Sequence, residues 1–396
     1  MSVMNFDLEK CTLCGLCVSQ CPFGALAIED ERIVLGSGCR GCGACRKLCP
    51  AGAIAEAEGQ DTFRKGDWSD FLILAEQTTG DLHPVVLELL GEARKMAPKV
   101  GWRVNCVLVG GPGTAKNAHT LLRYGADTVF VYEDEGLAAF RTDAYTRVLA
   151  DLIGELRPGA VLIGGTALGR SLAPRLSTRF RTGLTADCTA LDILKSTDMV
   201  QIRPAFGGDI MAQIAIERSR PQFATVRYRV LDRAKPVLHP TGEIRIRPVP
   251  AELAQSRIKV LSSQVIQKTR SIEEEEILVV AGRGARNEAG VELCRQLARA
   301  LGGQLAFTRP MVESGFGDQG CQIGLSGHTV RPRLIITCGV SGAIQFTTCM
   351  SGADCVVAIN TDPEARIFTQ AHYCIQDDLF TVVPALLRLV TEGRED

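Results

Sequence analysis

The sequence predicts an α/β protein with two doubly wound parallel-sheet domains, preceded by a small α+β domain. Apolar, β-branched runs alternate with segments of helical spacing along most of the chain, which is typical of parallel sheets. Hydrophobic residues make up 46% of the 396 residues, aromatics only 5%, and there are 40 glycines, a balance typical of α/β domains. Eight regularly spaced cysteines occupy the first fifty residues, so that segment is predicted to be a separate module.

The charge balance of the chain excludes several classes of partner. There are 44 basic and 45 acidic residues, which gives a net charge of -1, so no nucleic-acid surface and no anionic-membrane surface is predicted. The N-terminal nine residues include Asp7 and Glu9 rather than a basic and apolar signal, and no run reaches about 18 apolar residues. We therefore expect a cytoplasmic protein without a membrane span.

The cysteines of the first module follow one spacing twice. Each set reads C-x-x-C-x-x-C-x-x-x-C-P, and the second set begins 28 positions after the first, at Cys39 instead of Cys11. The sets are Cys11, Cys14, Cys17 and Cys21, then Cys39, Cys42, Cys45 and Cys49. Thiolates at this spacing hold [4Fe-4S] clusters. The alternatives are structural zinc, which usually pairs two C-x-x-C knuckles across a longer spacer, and disulfides, which need no cysteine at every third position.

This module, predicted to span residues 1–60, resembles the bacterial two-cluster ferredoxins. In that family the fourth cysteine of each set binds the cluster of the other set. The resemblance therefore implies one cluster on Cys11, Cys14, Cys17 and Cys49, and another on Cys39, Cys42, Cys45 and Cys21. The other cysteines lack ligand spacing, and we expect them to be small buried hydrophobes. They are Cys106, Cys188, Cys294, Cys321, Cys338, Cys349, Cys355 and Cys374.

After a polar linker at 56–67, the first α/β domain is predicted at residues 68–265. Strands are predicted at 71–75, 104–109, 128–132 and 160–163, and helices at 85–96, 116–124 and 145–156. Glycine-rich turns follow two of these strands, at 110–113 and 164–166, but glycine after a strand is more often plain turn chemistry. No site is predicted there. Strands and turns at 201–246 close the domain, and a charged connector follows at 273–276.

The last domain is predicted at residues 275–396 and carries the candidate cofactor site. A strand at 277–281 leads into Gly282-Arg283-Gly284 and a helix at 288–301, an arrangement that presents backbone N–H groups to a phosphate. Strands at 334–338 and 355–359 also end in polar loops. Because the carboxyl ends of parallel strands meet at one sheet edge, we predict a nucleotide cofactor there. Taken singly, each loop can instead be the start of a helix, with Ser341 or Asp362 as its N-cap.

From about residue 71 to its end, the chain resembles the α subunit of electron transfer flavoproteins. The likeness is carried first by the stretches 169–175, 183–188 and 203–208. The more specific ones are Gly282-Arg283-Gly284, Ser341-Gly342-Ala343-Ile344-Gln345, Asp362-Pro363-Glu364-Ala365 and Asp378-Leu379-Phe380. The resemblance implies the electron transfer flavoprotein fold for both α/β domains, FAD in the last one, and a heterodimer with a β subunit that carries a second nucleotide.

The resemblance also implies which residues contact FAD. Arg283 would lie near the pyrophosphate, and Asn360, Asp378 and Leu379 would hold the far end. Arg309, the implied catalytic residue, would set a fixed positive charge over the isoalloxazine and stabilise reduced, anionic flavin; the alternative for it is an exposed ion pair. The residues implied beside the isoalloxazine are Thr308, Ile323, Gly324, Leu325 and Ser326. Those implied beside the ribityl and phosphate groups are Ser341, Gly342, Ala343, Ile344, Gln345 and Phe346.

Two positions depart from the usual pattern of the family. Leu325-Ser326 stands where the family commonly has Gln-Thr, but Ser326 keeps a hydroxyl that can bond the flavin. Phe346 stands where the family commonly has His, and it can donate neither a hydrogen bond nor a charge. We therefore expect the flavin semiquinone to be less stabilised than is usual for the family.

The ferredoxin module ahead of the flavoprotein chain narrows the predicted function. The arrangement resembles the fused α subunits of complexes in which NADH reduces both a dehydrogenase and ferredoxin by electron bifurcation. This implies an electron-transfer subunit of an oxidoreductase complex, with ferredoxin and a flavin dehydrogenase of the acyl-CoA or 2-hydroxy acid type as partners. One alternative is a non-bifurcating single-electron carrier between a dehydrogenase and a ferredoxin or quinone acceptor. Another, a scaffold with structural cofactors, is disfavoured by the complete set of cysteine ligands.

Overall fold

The structure is a computed structural model of the chain. It describes residues 4–36, 39, 42–56, 64–78, 80–205, 210–263 and 271–392. The chain divides into two compact units, Met1–Asp67 and Trp68–Asp396. The described part of the chain contains no helix that is both long enough and apolar enough to span a bilayer.

The first unit is a small α+β module built on two short antiparallel strand pairs. Its elements are the strands β1 (Met4–Phe6), β2 (Leu26–Glu29), β3 (Arg32–Leu35) and β4 (Ile54–Glu56) and the helices α1 (Leu16–Ser19) and α2 (Ala44–Leu48). Strand β1 pairs with β4, β2 pairs with β3, and α1 packs against α2. Met4, Leu26, Ile33 and Ile54 form the apolar core together with Cys17. The cysteine-bearing loops therefore close over a core of only a few side chains.

The second unit holds two parallel sheets with smaller antiparallel additions. Its strands are β5 (Phe71–Leu74), β6 (Gln77–Thr78), β7 (Asp81–Leu82), β8 (Val104–Gly110), β9 (Thr128–Glu133), β10 (Ala160–Gly164), β11 (Leu184–Cys188), β12 (Ala190–Ile193), β13 (Met199–Ala205), β14 (Ile210–Ala215), β15 (Gln222–Val226), β16 (Glu243–Arg247), β17 (Ile277–Ala281), β18 (Gln304–Phe307), β19 (Leu334–Cys338), β20 (Cys355–Asn360) and β21 (Tyr373–Gln376). Its helices are α3 (Val85–Val100), α4 (Ala118–Arg123), α5 (Thr142–Leu156), α6 (Ala167–Arg179), α7 (Ala251–Ala254), α8 (Glu288–Leu301), α9 (Arg309–Glu313), α10 (Ile344–Thr347) and α11 (Leu379–Glu392).

The larger parallel sheet has seven strands in the order β11-β15-β10-β5-β8-β9-β16. Every adjacent pair in it is parallel. Alternate residues of β5 face opposite cores, because side chains alternate along a strand. Phe71 and Ile73 pack into the core that α3 shares, whereas Leu72 and Leu74 pack into the core that α5 and α6 share. Helices therefore cover both faces, as in the doubly wound arrangement that the sequence predicted.

The smaller parallel sheet has five strands in the order β18-β17-β19-β20-β21, again with every adjacent pair parallel. Leu278 and Val280 of β17 face one core, and Val279 and Ala281 face another that includes α8 and α11. The chain passes from β17 to β18 on one side and then returns to β19 on the other. The winding therefore reverses between β17 and β19, and in such sheets a crevice lies at the carboxyl ends of the two strands.

The structure corrects several details of the predicted elements. Helix α5 begins at Thr142 rather than at 145, and the segment predicted as one helix at 116–124 is a 3₁₀ turn followed by α4. Helices α6 and α11 were not predicted, because Pro174 and Pro384 lie inside them and proline usually ends a helix. Residues 206–208 of the stretch at 203–208, residues 57–63 of the linker and residues 264–270 lie outside the described residues.

Candidate cofactor sites

Two glycine-rich loops meet at the crevice of the smaller sheet. A Cβ at Gly284 would lie 2.6 Å from Gly339 Cα, and one at Gly282 would collide with the Gly339 carbonyl oxygen. Gly339 itself has a φ of 66°, a conformation that residues with a side chain rarely adopt. The loops after β17 and β19 can approach this closely only because they carry no side chains, which keeps the mouth of the crevice open.

A cleft of about 890 Å³ opens at the carboxyl ends of β17, β18, β19 and β20. This volume lies within the usual range of sites for small molecules and cofactors. Residues from five separate stretches of the sequence meet there. Those among the residues predicted to contact FAD are Arg283, Thr308, Arg309, Ile323, Gly324, Leu325, Ser326, Ser341, Ala343, Gln345, Phe346 and Asn360.

Four of the residues predicted to contact FAD do not line this cleft. The backbone of Gly342 packs against a neighbouring loop, and Ile344 borders a separate groove. Asp378 precedes α11 and lies 3.5 Å from the Arg286 guanidinium, whereas Leu379 is buried in the core beside α8. Contacts of these four residues with FAD stay predictions.

The cleft also contains residues that were not among the predicted contacts. They are Gly284, Pro310, Gly339, Val340, Asp362, Glu364, Ala365 and Arg366. Arg366 adds a cation to those of Arg283 and Arg309. The backbone N–H of Ile367 donates to the Ser341 carbonyl at 3.2 Å, which holds the loop after β20 beside the loop after β19. The polar residues after β20 signalled this loop, but only the tertiary contact brings Arg366 into the site.

The end of β18 contributes a hydroxyl and a guanidinium. The Thr308 hydroxyl is buried and, within the part of the chain that the structure describes, has no hydrogen-bond partner. Such a group costs about 1–3 kcal/mol unless a ligand satisfies it, so it fits a polar ligand in the cleft. Arg309 Nε donates to Glu313 Oε1 at 2.7 Å, and the Arg309 side chain is 65% exposed. Arg309 thus lines the cleft and also forms the exposed ion pair that the sequence left open.

A polar network holds the loop that ends at Ser326. The Ser326 hydroxyl accepts a hydrogen bond from the buried Gln322 side chain at 2.8 Å, so its own proton can be donated to a ligand. Arg227, which follows β15 of the larger sheet, donates to the Leu325 carbonyl at 2.6 Å and to the Asp187 carboxylate at 2.8 Å. Burial alone would raise the pKa of Asp187, but the guanidinium groups beside it outweigh burial and lower that pKa. The ion pair therefore supports the loop from outside the cleft.

The residues present in the cleft fit FAD. Arg283 and Arg366 supply positive charge that suits a pyrophosphate. The hydroxyls of Thr308 and Ser326 suit the polar edge of an isoalloxazine, and buried Phe346 supplies an apolar wall. Asp362 and Glu364 also line the cleft, so its three guanidinium groups outnumber its two carboxylates by one.

The cysteines of the first unit gather into two groups around two cavities. The groups are Cys11, Cys14, Cys17 and Cys49, and Cys21, Cys39, Cys42 and Cys45. Each group takes three cysteines from one set and the fourth from the other, the exchange that the ferredoxin resemblance implied. Apolar side chains complete each lining, such as Ile33 in the first cavity and Leu35 in the second. Four thiols around an apolar cavity fit the ligand chemistry of a [4Fe-4S] cluster.

Backbone hydrogen bonds to sulfur follow the same repeat. The Ala25 N–H donates to Cys21 Sγ at 3.4 Å, and the Ala53 N–H donates to Cys49 Sγ at 3.3 Å. These two bonds lie 28 positions apart, as the two cysteine sets do. Hydrogen bonds to cluster sulfurs help to set reduction potentials, so the two halves present matching environments in this respect.

The zinc and disulfide alternatives find no support in the structure. All 16 cysteines are described, and all are free thiols. Among the residues that the structure describes, no three His, Cys, Asp or Glu side chains are arranged to hold a single metal ion. Outside the first unit, most cysteines are buried or partly buried as expected, but Cys374 is exposed. The expectation of a buried hydrophobe is wrong for Cys374, because the edge strand β21 leaves it uncovered.

Known protein families match both the cluster module and most of the second unit. The electron transfer flavoprotein domain matches residues 71–252, and the electron transfer flavoprotein FAD-binding domain matches residues 271–351. Two 4Fe-4S binding domains match residues 4–27 and 36–52. FAD and two [4Fe-4S] clusters are therefore the cofactors that these domains bind.

Several curated proteins are similar to most of the chain. Subunit LctC of the lactate dehydrogenase (NAD(+),ferredoxin) of Acetobacterium woodii is 42% identical over 379 residues, which cover 95% of this chain and 90% of that protein. The electron transfer flavoprotein subunit alpha of Thermoanaerobacterium thermosaccharolyticum is 41% identical over 324 residues, which cover 81% of this chain and 97% of that protein. Protein FixB of Rhizobium meliloti is 36% identical over 335 residues, 83% of this chain and 95% of that protein.

Proposed function

The chain belongs to the electron transfer flavoprotein alpha-subunit family, and we propose that it is the subunit of an NADH-dependent electron-bifurcating complex that carries FAD and two [4Fe-4S] clusters. In this proposal the complex takes two electrons from NADH. It passes one to a partner flavin dehydrogenase of the acyl-CoA or 2-hydroxy acid type and the other to ferredoxin. The proposed heterodimer partner is an electron transfer flavoprotein β subunit.

The observation that carries this proposal is the presence of both kinds of cofactor domain in one chain. An FAD-binding domain and two cluster-binding domains match successive parts of the sequence. The relative that is similar over 95% of the chain is named for NAD(+) and ferredoxin together. The relative named only as an electron transfer flavoprotein subunit alpha covers 81% of the chain. The relative that matches more of the chain is thus the one that is named for two electron partners.

In the proposed FAD site, each group of residues has a separate task. Bound FAD supplies the exchange of one or two electrons, which no side chain of the chain can provide. Arg283 and Arg366 hold the pyrophosphate by charge, and Thr308 and Ser326 orient the isoalloxazine by hydrogen bonds. Arg309 is the proposed catalytic residue, because its fixed positive charge at the cleft favours a reduced, anionic ring.

In the proposed cluster sites, the cysteines act as thiolate ligands. Burial raises the pKa of the Cys17 and Cys45 thiols, so both must lose a proton when they bind iron. The backbone N–H groups of Ala25 and Ala53 then donate to ligand sulfurs and stabilise their negative charge.

A non-bifurcating carrier is the second candidate function. It would pass single electrons between a dehydrogenase and a ferredoxin or quinone acceptor. The relatives named as electron transfer flavoprotein subunit alpha favour it. The two candidates differ in whether ferredoxin reduction depends on the second acceptor.

The test is anaerobic reduction of ferredoxin by NADH with the full chain, its β partner and the dehydrogenase. The assay is run with and without the high-potential acceptor of the dehydrogenase. Bifurcation predicts ferredoxin reduction only when that acceptor is present, with one electron to each acceptor. Equal reduction without it, or none while NADH is oxidised, would favour the simple carrier. Cys42→Ser is the control variant, because loss of one proposed cluster ligand should stop ferredoxin reduction, and in a bifurcating complex it should also stop coupled NADH oxidation, since the second electron then has no acceptor.

A further inference from the structure

The two halves of the cluster module differ in surface charge, although they share one spacing. The 28-residue shift sets Val18 and Ser19 of α1 against Arg46 and Lys47 of α2. Arg46 and Lys47 are both exposed. These two positions of the repeat therefore carry no charge in α1 and two positive charges in α2.

Helix α2, which carries Arg46 and Lys47, borders an exposed part of the second cysteine cavity. Ala44 and Cys45 of α2 line that cavity together with Phe23 and Cys42. Cys42 is exposed, and Phe23 is 49% exposed. The ring of Phe23 and the exposed Cys42 thus lie at the second cavity. Arg46 and Lys47 come directly after Cys45, which lines the same cavity, along α2.

The segment that precedes Cys11, a residue of the first cysteine cavity, has the opposite charge. Asp7 and Glu9 precede Cys11, and Lys10 lies 2.8 Å from the Asp7 carboxylate. The local charge of these residues is therefore negative, with its one cation already paired. A negatively charged partner is attracted to α2 and repelled from this side.

We propose that Phe23, Cys42, Arg46 and Lys47, here called the basic face, dock a small acidic iron–sulfur protein of the ferredoxin class. This inference rests on the proposed function, which requires a ferredoxin partner, and adds the surface that receives it. Across the contact one electron is exchanged, so that one iron–sulfur group is oxidised by one electron as the other is reduced by one. No covalent bond changes. Interfaces of electron carriers are small and weak, so a few charges suffice to choose the orientation.

The direct test measures binding rather than turnover. The probe is an acidic two-cluster bacterial ferredoxin, and the full chain is held anaerobically with flavin and clusters loaded. In Arg46→Val/Lys47→Ser, the second half takes the residues that the first half has at Val18 and Ser19. We expect binding to weaken about tenfold at low salt, with a smaller dependence of Kd on salt. Iron and flavin contents should equal those of the wild type.

Two control variants show whether ferredoxin binding depends on the charges of α2 or on the total charge of the module. Lys10→Ser/Arg32→Ser removes the same charge away from α2, and Kd should change less than about twofold. Arg46→Lys/Lys47→Arg keeps both charges and should bind as the wild type does. Equal weakening in both charge-removing variants, or unchanged Kd in Arg46→Val/Lys47→Ser, would overturn the basic face as the docking site. So would loss of binding in the charge-conserving variant.

The result can be told apart from failure of the proposed function. If ferredoxin reduction depends on the second acceptor but Arg46→Val/Lys47→Ser keeps its KM for ferredoxin, the docking site is wrong and bifurcation stands. If no such dependence is found but the variant still weakens binding, bifurcation is wrong and the docking site stands. When both are right, the variant raises KM for ferredoxin about tenfold and leaves kcat unchanged.

Discussion

The two parallel sheets have the same kind of winding reversal, but in the part of the chain that the structure describes their crevices differ: a cleft opens at the reversal of the smaller sheet, whereas a hydrogen bond joins the strand ends at that of the larger sheet. In the larger sheet the reversal lies between β5 and β10, and in the smaller sheet it lies between β17 and β19. Topology therefore marks a candidate crevice in both. What differs is the set of side chains that reach the two crevices.

In the larger sheet, the chain fills its own crevice. The Thr166 hydroxyl, just after β10, donates to the Glu76 carboxylate, just after β5, at 2.5 Å. Both strand ends are thus joined by a partly buried hydrogen bond. Val85 closes the remaining space, because a Cβ at Gly164 would lie 2.7 Å from Val85 Cγ1.

In the smaller sheet, Gly282 and Gly339 directly follow the two strands at the reversal. Gly282, Gly284 and Gly339 bring the two loops together without filling the crevice, and the cleft opens beyond them. The comparison teaches that winding sets where a ligand can bind, whereas the side chains at the strand ends decide whether it does.

The largest expected effect comes from closing the open crevice with Gly339→Ala. The new Cβ would lie 2.6 Å from Gly284 Cα, and the residue would keep an unfavourable positive φ. Overpacking of this kind costs about 1–3 kcal/mol, so the loops should separate and FAD should be lost. The measurement is the ratio of flavin to protein after purification, which should fall at least about tenfold.

The matched control for this variant is Gly113→Ala in the larger sheet. Gly113 has a φ of 89°, but a Cβ there would meet nothing within 4 Å. It therefore carries the backbone strain without the collision. Full flavin content in Gly339→Ala, or equal loss in both variants, would contradict the account of the crevice.

A smaller effect concerns Glu88, a buried carboxyl of α3 beside the larger sheet. Burial raises its pKa to about 7, against 4.5 for an exposed glutamate, even though the Arg229 and Leu231 N–H groups donate to it. Between these two values the folded chain keeps a proton that the unfolded chain releases. The free energy of unfolding should therefore fall as pH rises towards 7. From pH 5.5 to 7.5, we expect a loss of about 2 kcal/mol from this group.

Glu88→Gln keeps the acceptor oxygen but cannot ionise, so this part of the pH dependence should disappear. The measurement is urea unfolding followed by tryptophan fluorescence, because Trp68 and Trp102 both pack against the larger sheet. Glu252→Gln, at an exposed position of α7, should follow the wild-type curve. Parallel curves for wild type and Glu88→Gln would show that Glu88 ionises normally.

The smallest effect compares the helix caps that follow the two crevices. The Thr166 hydroxyl accepts from the Gly169 N–H at the start of α6, and Asn287 accepts from the Gly290 N–H at the start of α8. Thr166 also bonds Glu76, whereas Asn287 only caps. Loss of a cap costs about 1 kcal/mol, and the second bond adds about 1 kcal/mol to Thr166→Ala.

Urea unfolding should therefore show a larger loss for Thr166→Ala than for Asn287→Ala. Tryptophan fluorescence follows the first variant, and release of flavin fluorescence follows the second. Thr166→Ser retains the hydroxyl and should remain close to wild type. Equal losses for the two alanine variants would mean that the bond to Glu76 does not hold the larger crevice closed.

The sequence alone determined the features that depend on short-range spacing. Cysteine triplets at every third position predicted the cluster module, and the alternation of apolar runs with helical spacing predicted both parallel sheets. The strand at Ile277–Ala281 and the helix at Glu288–Leu301 were predicted to the residue. Local spacing suffices here because neighbouring residues set the ligand loop, the strand or the helix by themselves.

Only the tertiary structure decided which crevice is open. The turns at 110–113, 164–166 and 282–284 are all rich in glycine, and the sequence predicted a cofactor beside the last of them only because polar loops follow the strands at 334–338 and 355–359. The bond that closes the larger crevice joins Glu76 to Thr166, 90 positions apart, and the bond that supports the flavin loop joins Arg227 to Leu325, 98 positions apart. Such contacts form only after the chain has wound into sheets, because winding brings strand ends together whatever their separation in sequence.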